Sequence, residues 1–217
     1  MKKILTISLF VILLADLSAQ SIPTPKLFTG RKHRGFFLSM AMGVNQTNVK
    51  IDTKNFGFTT ISGPGAGFDI KIGGTLTENL ILHATLLSHG VTGPKINSDY
   101  WGINNTKADN KVSLSEGLIG LGLTYYTHDN FFFSSSMGFG GFTLINEHED
   151  IDITTDNGLS MQLKAGKEWW VSPKWGIGCA IYYHHTNTLN QEGTFAEEQL
   201  KSNNFGIVFN ATLNGRK

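Results

Sequence analysis

The stretch NNFGIVFNATLNG at residues 203–215 decides the fold, because two kinds of side chain alternate along it. Large or apolar residues occupy every second position: Phe205, Ile207, Phe209, Ala211 and Leu213. The intervening positions hold Gly206, Val208, Asn210 and Thr212. Successive side chains of a β-strand point to opposite faces, so the segment predicts a strand with one apolar face and one small or polar face.

The same alternation predicts seven further strands upstream. Their runs are residues 36–45, 68–73, 80–86, 118–126, 131–140, 159–169 and 175–184. In each run most of the large apolar side chains share one face, and small or polar residues predominate on the other. We expect strands of about nine to eleven residues, the length that crosses a bilayer when the strand is tilted.

Two kinds of connection alternate between these strands. Tight turns at 75–79, 127–130 and 171–174 follow the second, fourth and sixth strands. Long polar connections at 46–65, 90–111, 146–157 and 187–202 follow the first, third, fifth and seventh. This alternation is typical of an outer-membrane barrel with short periplasmic turns and long extracellular loops. The predicted fold class is therefore all-β, an eight-stranded antiparallel up-and-down transmembrane β-barrel.

The N-terminus has the features of an export signal. Lys2 and Lys3 precede an apolar run at 4–14 that is short for a membrane span, and the small residues Ser18 and Ala19 follow it. We expect cleavage after Ala19. The predicted organisation is a signal peptide at 1–19, a solvated periplasmic arm at 20–34 and the barrel at 35–217.

Composition excludes several classes of protein. A net charge of +1 does not supply the concentrated basic face of a nucleic-acid binder. The single cysteine, Cys179, cannot form an intramolecular disulfide. Beyond the signal there is no apolar run long enough for a transmembrane helix.

Aromatic residues cluster beside the three tight turns. Amphipathic rings prefer the headgroup level of a membrane, so we expect a periplasmic girdle. Its members are Tyr125, Tyr126, Phe131, Trp169, Trp170 and Trp175. A water-soluble lipocalin-like barrel, in which the large apolar side chains would fill the interior instead, stays open as an alternative.

Charged residues fall on the inward face of two opposed strands. Asp69 and Lys71 lie on the second strand, and Lys164 and Glu168 lie on the sixth. The lumen of an eight-stranded barrel is only wide enough for side chains to fill it, and buried charges are costly unless paired. We therefore expect cross-lumen pairs between Asp69 and Lys164 and between Lys71 and Glu168, in a structural charge cluster that includes the inward His83.

Three stretches resemble a known group of proteins. They are GLGLTYY at 120–126, NFFFSSSMG at 130–138 and, above all, GKEWWVSPKWGIG at 166–178. Together they are similar to uncharacterised members of the OmpA/OmpX-type superfamily of small bacterial outer-membrane β-barrels. The resemblance covers most of the mature chain. It implies residence in the outer membrane of a Gram-negative-type cell, contact with outer-membrane lipid, insertion by the barrel-assembly machinery and a monomeric state.

No motif with catalytic or metal-binding spacing emerges. Histidines and serines are present, but there is no G-x-S-x-G and no other fixed spacing that would mark a nucleophile. The acidic residues at 147–152 match no calcium loop. His184 and His185 point to opposite faces of one strand, so they cannot chelate one ion from that strand alone. We expect no enzyme activity, no cofactor and no metal site.

These observations predict a non-enzymatic outer-membrane barrel with a closed, charge-plugged lumen. Such a protein would act through its surface loops, toward an extracellular ligand or surface that the sequence does not identify, or as a structural or adhesion component. Two alternatives stay open: a narrow OmpW-like conduit for small apolar solutes, and a secreted, soluble lipocalin-like barrel that binds a ligand.

Overall fold

The computed structural model describes residues 33–54, 56–99, 102–190 and 198–215, and these residues form β-strands joined by turns. The predicted signal peptide at 1–19 and most of the predicted arm lie outside the described residues. The strands are β1 (Phe36–Thr53), β2 (Gly57–Thr77), β3 (Leu80–Thr92), β4 (Lys95–Ser98), β5 (Ile103–Lys107), β6 (Val112–Tyr126), β7 (Phe131–Asn146), β8 (Ile151–Thr154), β9 (Gly158–Trp170), β10 (Trp175–Asn190), β11 (Glu198–Ser202) and β12 (Asn204–Asn214). Within the described part of the chain, no helix has the length and apolar character needed to cross a membrane.

Eight long strands close into an antiparallel ring. Each pairs with the next in the order β1, β2, β3, β6, β7, β9, β10 and β12. The ring closes between the first and last strands, whose register runs from Phe37 opposite Asn214 to Gln46 opposite Phe205. Closure removes the free sheet edges, so every long strand has a hydrogen-bonding partner on both sides.

The predicted alternation holds around the ring: the outward side chains are mainly apolar, and most of the buried inward side chains are polar or charged. On β12, Phe209 is 71% exposed while its neighbour Asn210 is 4% exposed. The buried set includes Asp69, Lys71 and Lys164, whereas Met42, Ile119 and Phe139 lie on the outer surface. This arrangement is the inverse of a water-soluble barrel, in which large apolar side chains fill the interior. It is the arrangement that a lipid environment stabilises.

The strands are longer than the sequence predicted. β1 and β2 pair continuously from Phe36 opposite Gly74 to Thr53 opposite Gly57, so the expected loop at 46–65 is almost entirely strand. The alternation of buried and exposed side chains continues past the apolar band, with Thr47 and Val49 inside. The outward residues there are polar, so an apolar pattern predicts the end of the strand too early. The prediction of a long loop there was wrong.

The other three expected loops also contain strands. β4 and β5 occupy much of 90–111, β8 lies within 146–157, and β10 and β11 cover most of 187–202 apart from residues outside the described part. β4 pairs with β2, β8 with β7, and β11 with both β1 and β10. These additions extend the wall at one end of the barrel, which we call the hairpin end. The opposite end, with turns at 78–79, 127–130 and 171–174, is the turn end.

Candidate functional site

The lumen is the candidate site, and apolar side chains occupy it toward both ends. A cluster at the hairpin end consists of Val49, Ile61, Val91, Leu114, Phe142 and Leu200. A second cluster runs from the turn end toward the middle and consists of Phe37, Ala41, Ile81, Tyr126, Phe132, Ala180, Tyr182 and Val208. Polar and charged groups are buried between and beside these clusters, and burying such a group is costly unless another group hydrogen-bonds to it.

An ionic network centred on Asp69 crosses the lumen. Lys164 Nζ lies 3.0 Å from Asp69 Oδ2, which is the pairing expected for these two residues. Gln162 Nε2 donates to the same carboxylate at 3.1 Å. Lys71 Nζ lies 3.9 Å from Asp69 Oδ2 and donates to Gln162 Oε1 at 2.6 Å. Two cations thus share one carboxylate, with Gln162 as a neutral bridge that sequence reasoning missed.

The expected pair between Lys71 and Glu168 is wrong. The Glu168 carboxylate accepts hydrogen bonds from Tyr126 Oη at 3.0 Å, from Thr212 Oγ1 at 2.7 Å and from the Asn210 amide. Strands of a tilted barrel are staggered relative to one another, and this stagger displaces residues on opposed strands along the barrel axis. Glu168 therefore lies among neutral donors rather than beside a lysine.

His83 belongs to a hydroxyl chain rather than to an ion pair. Its Nδ1 lies 3.0 Å from Thr85 Oγ1 and its Nε2 lies 2.9 Å from Thr124 Oγ1. Gly122 makes room for the ring, since a Cβ there would lie 2.5 Å from His83 Cε1. An inward glycine on one strand is thus used to accommodate a large inward side chain on its neighbour.

A second polar cluster, which we call the histidine–glutamate cluster, consists of His89 on β3, Glu116 on β6 and His184 on β10. His89 Nε2 lies 2.7 Å from His184 Nδ1. Glu116 Oε1 lies 3.3 Å from His184 Nδ1, and Glu116 Oε2 lies 3.8 Å from His89 Nε2. All three side chains are buried. Sequence reasoning missed the cluster because the predicted third strand ended at residue 86 and the fourth began at residue 118, which left His89 and Glu116 outside every predicted strand.

His33, a residue of the predicted arm at 20–34, is buried at the turn end of the lumen. Its ring stacks on Tyr126 with 3.5 Å between centroids, and its Nδ1 lies 3.0 Å from Asn214 Oδ1. Burial lowers the pKa of His33 to about 4, so the ring is neutral at pH 7. The expectation of a solvated arm is wrong at this residue, although Arg34 is exposed and pairs with Glu78.

The predicted aromatic girdle divides between the two faces of the wall. Tyr125, Phe131, Trp169 and Trp175 are exposed on the outer surface beside the tight turns. Tyr126 is buried inside, and Trp170 lies with its ring centroid 5.0 Å from that of His33. Placing both members of the adjacent pairs at 125–126 and 169–170 in one girdle was wrong, because neighbouring residues of a strand point to opposite faces.

The acidic residues at 147–152 are at the hairpin end, in an exposed turn and the start of β8. His148 Nε2 lies 3.5 Å from Asp109 Oδ2 there. The backbone N–H of Lys111 donates to the Asp109 carboxylate at 3.0 Å and holds its pKa below the ordinary value. These are solvated surface contacts, and they do not converge on one point as the lumen groups do.

No protein-family model matches the chain, and no curated protein matches it. Solved structures do. Neisserial surface protein A is 13% identical with a TM-score of 0.50, and the match covers 82% of this chain and 97% of that protein. The outer membrane protein OprG from Pseudomonas aeruginosa is 11% identical with a TM-score of 0.47, covering 84% of this chain and 98% of OprG.

The outer membrane protease OmpT from Escherichia coli is also similar, at 11% identity and a TM-score of 0.40, covering 88% of this chain and 98% of the protease. At identities this low the likeness concerns the fold and not the activity. The closed ring of eight antiparallel strands and its apolar outer surface agree with the likeness to Neisserial surface protein A. The chain therefore has the fold of the small outer-membrane eight-stranded β-barrels.

Proposed function

We propose that the protein is a structural, non-conducting component of the outer membrane that holds its extended hairpins at the cell surface. The observation that carries the proposal is the filled lumen. The network of Asp69, Lys71, Gln162 and Lys164 spans the interior between β2 and β9, and apolar clusters lie toward both ends. A permeating solute would have to displace paired, desolvated charges, which is costly.

The proposed orientation places the turn end in the periplasm and the hairpin end outside the cell, as is usual for such barrels. Export by a signal peptide cleaved after Ala19 would deliver the chain to the assembly machinery, and the surrounding partner would be outer-membrane lipid. The hairpin end then presents β4, β5, β8 and β11 to the surroundings. Their exposed polar surface is the part of the protein free to contact a ligand, a matrix or another cell.

A planar-bilayer recording tests the closed lumen directly. We expect the wild-type protein, purified and inserted into the bilayer, to pass little or no steady current. A triple variant with Lys71, Gln162 and Lys164 replaced by alanine removes the side chains that bridge the lumen, so it should pass a measurable current. Heat-modifiable migration on a denaturing gel verifies that both proteins are folded.

The main alternative function is that of a conduit for small apolar solutes. A large steady conductance in the wild type would contradict the closed lumen. Uptake of a small apolar solute into vesicles that exceeds uptake into protein-free vesicles would do the same and would favour the conduit. Recovery of the mature protein in the soluble periplasmic or secreted fraction, instead of the outer-membrane fraction, would contradict the proposal as a whole.

A further inference from the structure

Three ligand atoms of the kind that bind transition metals converge in the histidine–glutamate cluster. The imidazole nitrogens of His89 and His184 and the carboxylate of Glu116 lie within 4.8 Å of one another. The side chains come from three different strands: His89 and Glu116 are cross-strand neighbours on β3 and β6, and His184 reaches them from β10 across the lumen. The two imidazole rings meet edge to face, with an interplanar angle of 89°.

A second set of contacts orients each side of the cluster. Ser160 Oγ lies 2.8 Å from His184 Nε2, which fixes the ring so that Nδ1 points at His89. Ser202 Oγ donates to Glu116 Oε1 and Asn204 Nδ2 donates to Glu116 Oε2, each at 2.6 Å. Hydrogen bonds that hold ligating histidines and carboxylates from behind are a regular feature of metal centres.

The Glu116 carboxylate differs from that of Asp69 in its basic partners. Asp69 lies within 4.0 Å of two lysines, whereas the basic side chains within 4.0 Å of Glu116 among the described residues are the imidazoles of His89 and His184. Both imidazoles are neutral in their ordinary form near pH 7. The buried carboxylate therefore has two neutral nitrogen ligands beside it and no permanent positive charge.

The two facing imidazole nitrogens impose a further requirement. His89 Nε2 and His184 Nδ1 lie 2.7 Å apart, so one of them must carry a proton if no cation lies between them. The other nitrogen of the first ring, His89 Nδ1, has no hydrogen-bond partner. A cation between the rings would let both nitrogens present lone pairs. In that state His184 Nε2–H would donate to Ser160 Oγ.

From this geometry we infer that His89, Glu116 and His184 bind a divalent transition-metal ion, with Zn²⁺ as the chemically favoured occupant. Two histidines and one carboxylate are a recognised zinc ligand set, in which water or another small ligand takes the fourth position. Ligand atoms around tetrahedral Zn²⁺ are about 3.3 Å apart for bonds of about 2.0–2.1 Å. The two imidazole nitrogens lie 2.7 Å apart, and Glu116 approaches His184 through Oε1 at 3.3 Å and His89 through Oε2 at 3.8 Å. Side-chain shifts of roughly half an ångström would bring one oxygen and both nitrogens to that spacing.

The bound ion would link opposite walls of the barrel. His89 and Glu116 belong to the β3–β6 side, and His184 belongs to the β9–β10–β12 side, where its neighbours are Gln162 and Asn204. The ion would thus act as a crosslink within the lumen. This inference is independent of the proposed function, because a conducting barrel could also hold the ion.

Metal binding to the full-length mature protein tests the inference. The protein is purified without a polyhistidine tag, refolded in detergent, stripped with a chelator and titrated with Co²⁺, whose visible absorption reports nitrogen and oxygen ligands. Zn²⁺ is then added in competition. We expect one saturable site per chain and displacement of Co²⁺ by Zn²⁺. A second sample is refolded with Zn²⁺ present, dialysed and analysed for bound metal. This sample is needed because an ion would enter the closed lumen of the folded protein slowly.

Matched variants locate the site. His184→Gln and Glu116→Gln should each weaken binding by roughly tenfold or more, since each removes a direct ligand. His83→Gln changes another buried lumen histidine that lies outside the cluster, and it should leave binding unchanged. Heat-modifiable migration on a denaturing gel identifies the variants that fold. If His184→Gln does not fold, Glu116→Gln still tests the site, because glutamine has nearly the same volume as glutamate. Absence of a saturable one-to-one site under both loading conditions, or equal binding by wild type, His184→Gln and Glu116→Gln, would overturn the inference.

Discussion

At the scale of single residues, the lumen is governed by the cost of burying charge. Asp69, Lys71 and Lys164 are each almost fully buried, which is rare for such residues unless they are paired. The structure meets that cost with one carboxylate between two ammonium groups and with Gln162 in contact with both Asp69 and Lys71. Glu168 is stabilised differently, because the donors of Tyr126, Thr212 and Asn210 all bind its Oε1 while its buried Oε2 has no hydrogen-bond partner.

A double-mutant cycle measures the coupling between Asp69 and Lys164. Lys164→Met leaves the carboxylate with a weaker set of partners, and we expect a loss of unfolding free energy of up to about 3–5 kcal/mol. Adding Asp69→Asn should recover part of that loss, so that the two effects are not additive. Urea-induced unfolding in lipid vesicles gives the four free energies of the cycle.

Lys167→Met is the control for that cycle. Lys167 is on the same strand but contacts the outer side of Phe131, with its Nζ 4.3 Å from the ring centroid. Its loss should cost no more than about 1 kcal/mol, the range of an exposed cation–π contact. Strictly additive effects at Asp69 and Lys164 would show that the pair does not stabilise the barrel.

At the scale of strands, the two ends of the barrel are built differently. Turns at 78–79, 127–130 and 171–174 reverse the chain within a few residues, and Asn79 and Asn130 adopt positive φ angles of 67° and 58° there. At the other end β1 and β2 continue as a paired hairpin as far as Thr53 and Gly57. The barrel wall is therefore extended at the hairpin end only, which is the end with surface available for contacts.

Epitope insertion tests which end faces the outside of the cell. A tag placed between Glu147 and His148, in the exposed turn between β7 and β8, should bind antibody on intact cells. A tag between Ser172 and Pro173, in the turn between β9 and β10, should bind antibody only after the outer membrane is opened. Labelling of the second site alone on intact cells would invert the proposed orientation.

At the scale of the whole molecule, the ring separates an apolar outer surface from a polar interior. Phe205, Ile207 and Phe209 are all exposed on β12, while Asn204 and Asn210 are buried on its inner face. In water such a surface would associate with other apolar surfaces. In a bilayer the same surface meets lipid, and the closed ring leaves no backbone group of the wall unpaired at an edge.

Arginine substitution on the outer surface tests this separation. Ile207→Arg places a charge in the apolar band and should lower the unfolding free energy in lipid vesicles, by about 2–4 kcal/mol at the bilayer midplane and by less toward the interface. Ile153→Arg is the matched control. Ile153 is also exposed, but it belongs to β8 and pairs with Leu144 of β7. Leu144 lies nearer the hairpin end than Phe139, the last exposed large apolar residue of β7, so Ile153 is outside the apolar band. Equal effects of the two substitutions would contradict lipid contact at Ile207.

The sequence alone determined the all-β class, the eight long strands, the face on which each side chain lies and the alternation of turns with longer excursions. These properties follow from a period of two along the chain, which is local and can be recognised without knowing any partner. The pairing of Asp69 with Lys164 was also predictable, because opposed strands of a closed ring and opposite charges leave few choices. The same period also shows why Tyr126 was wrongly predicted in the girdle: adjacent residues of a strand point to opposite faces, so Tyr125 and Tyr126 cannot both face outward.

Apart from the pair of Asp69 and Lys164, only the tertiary structure decided which inward side chains meet across the lumen, and it alone decided how far the strands extend. The separation of Lys71 from Glu168 and the convergence of His89, Glu116 and His184 depend on register and tilt. Those quantities are set by pairing between strands far apart in the chain, including the closure of β1 on β12. The polar extensions of the strands were hidden for the same reason: their stability comes from partners such as β4, β8 and β11, and not from an apolar pattern of their own.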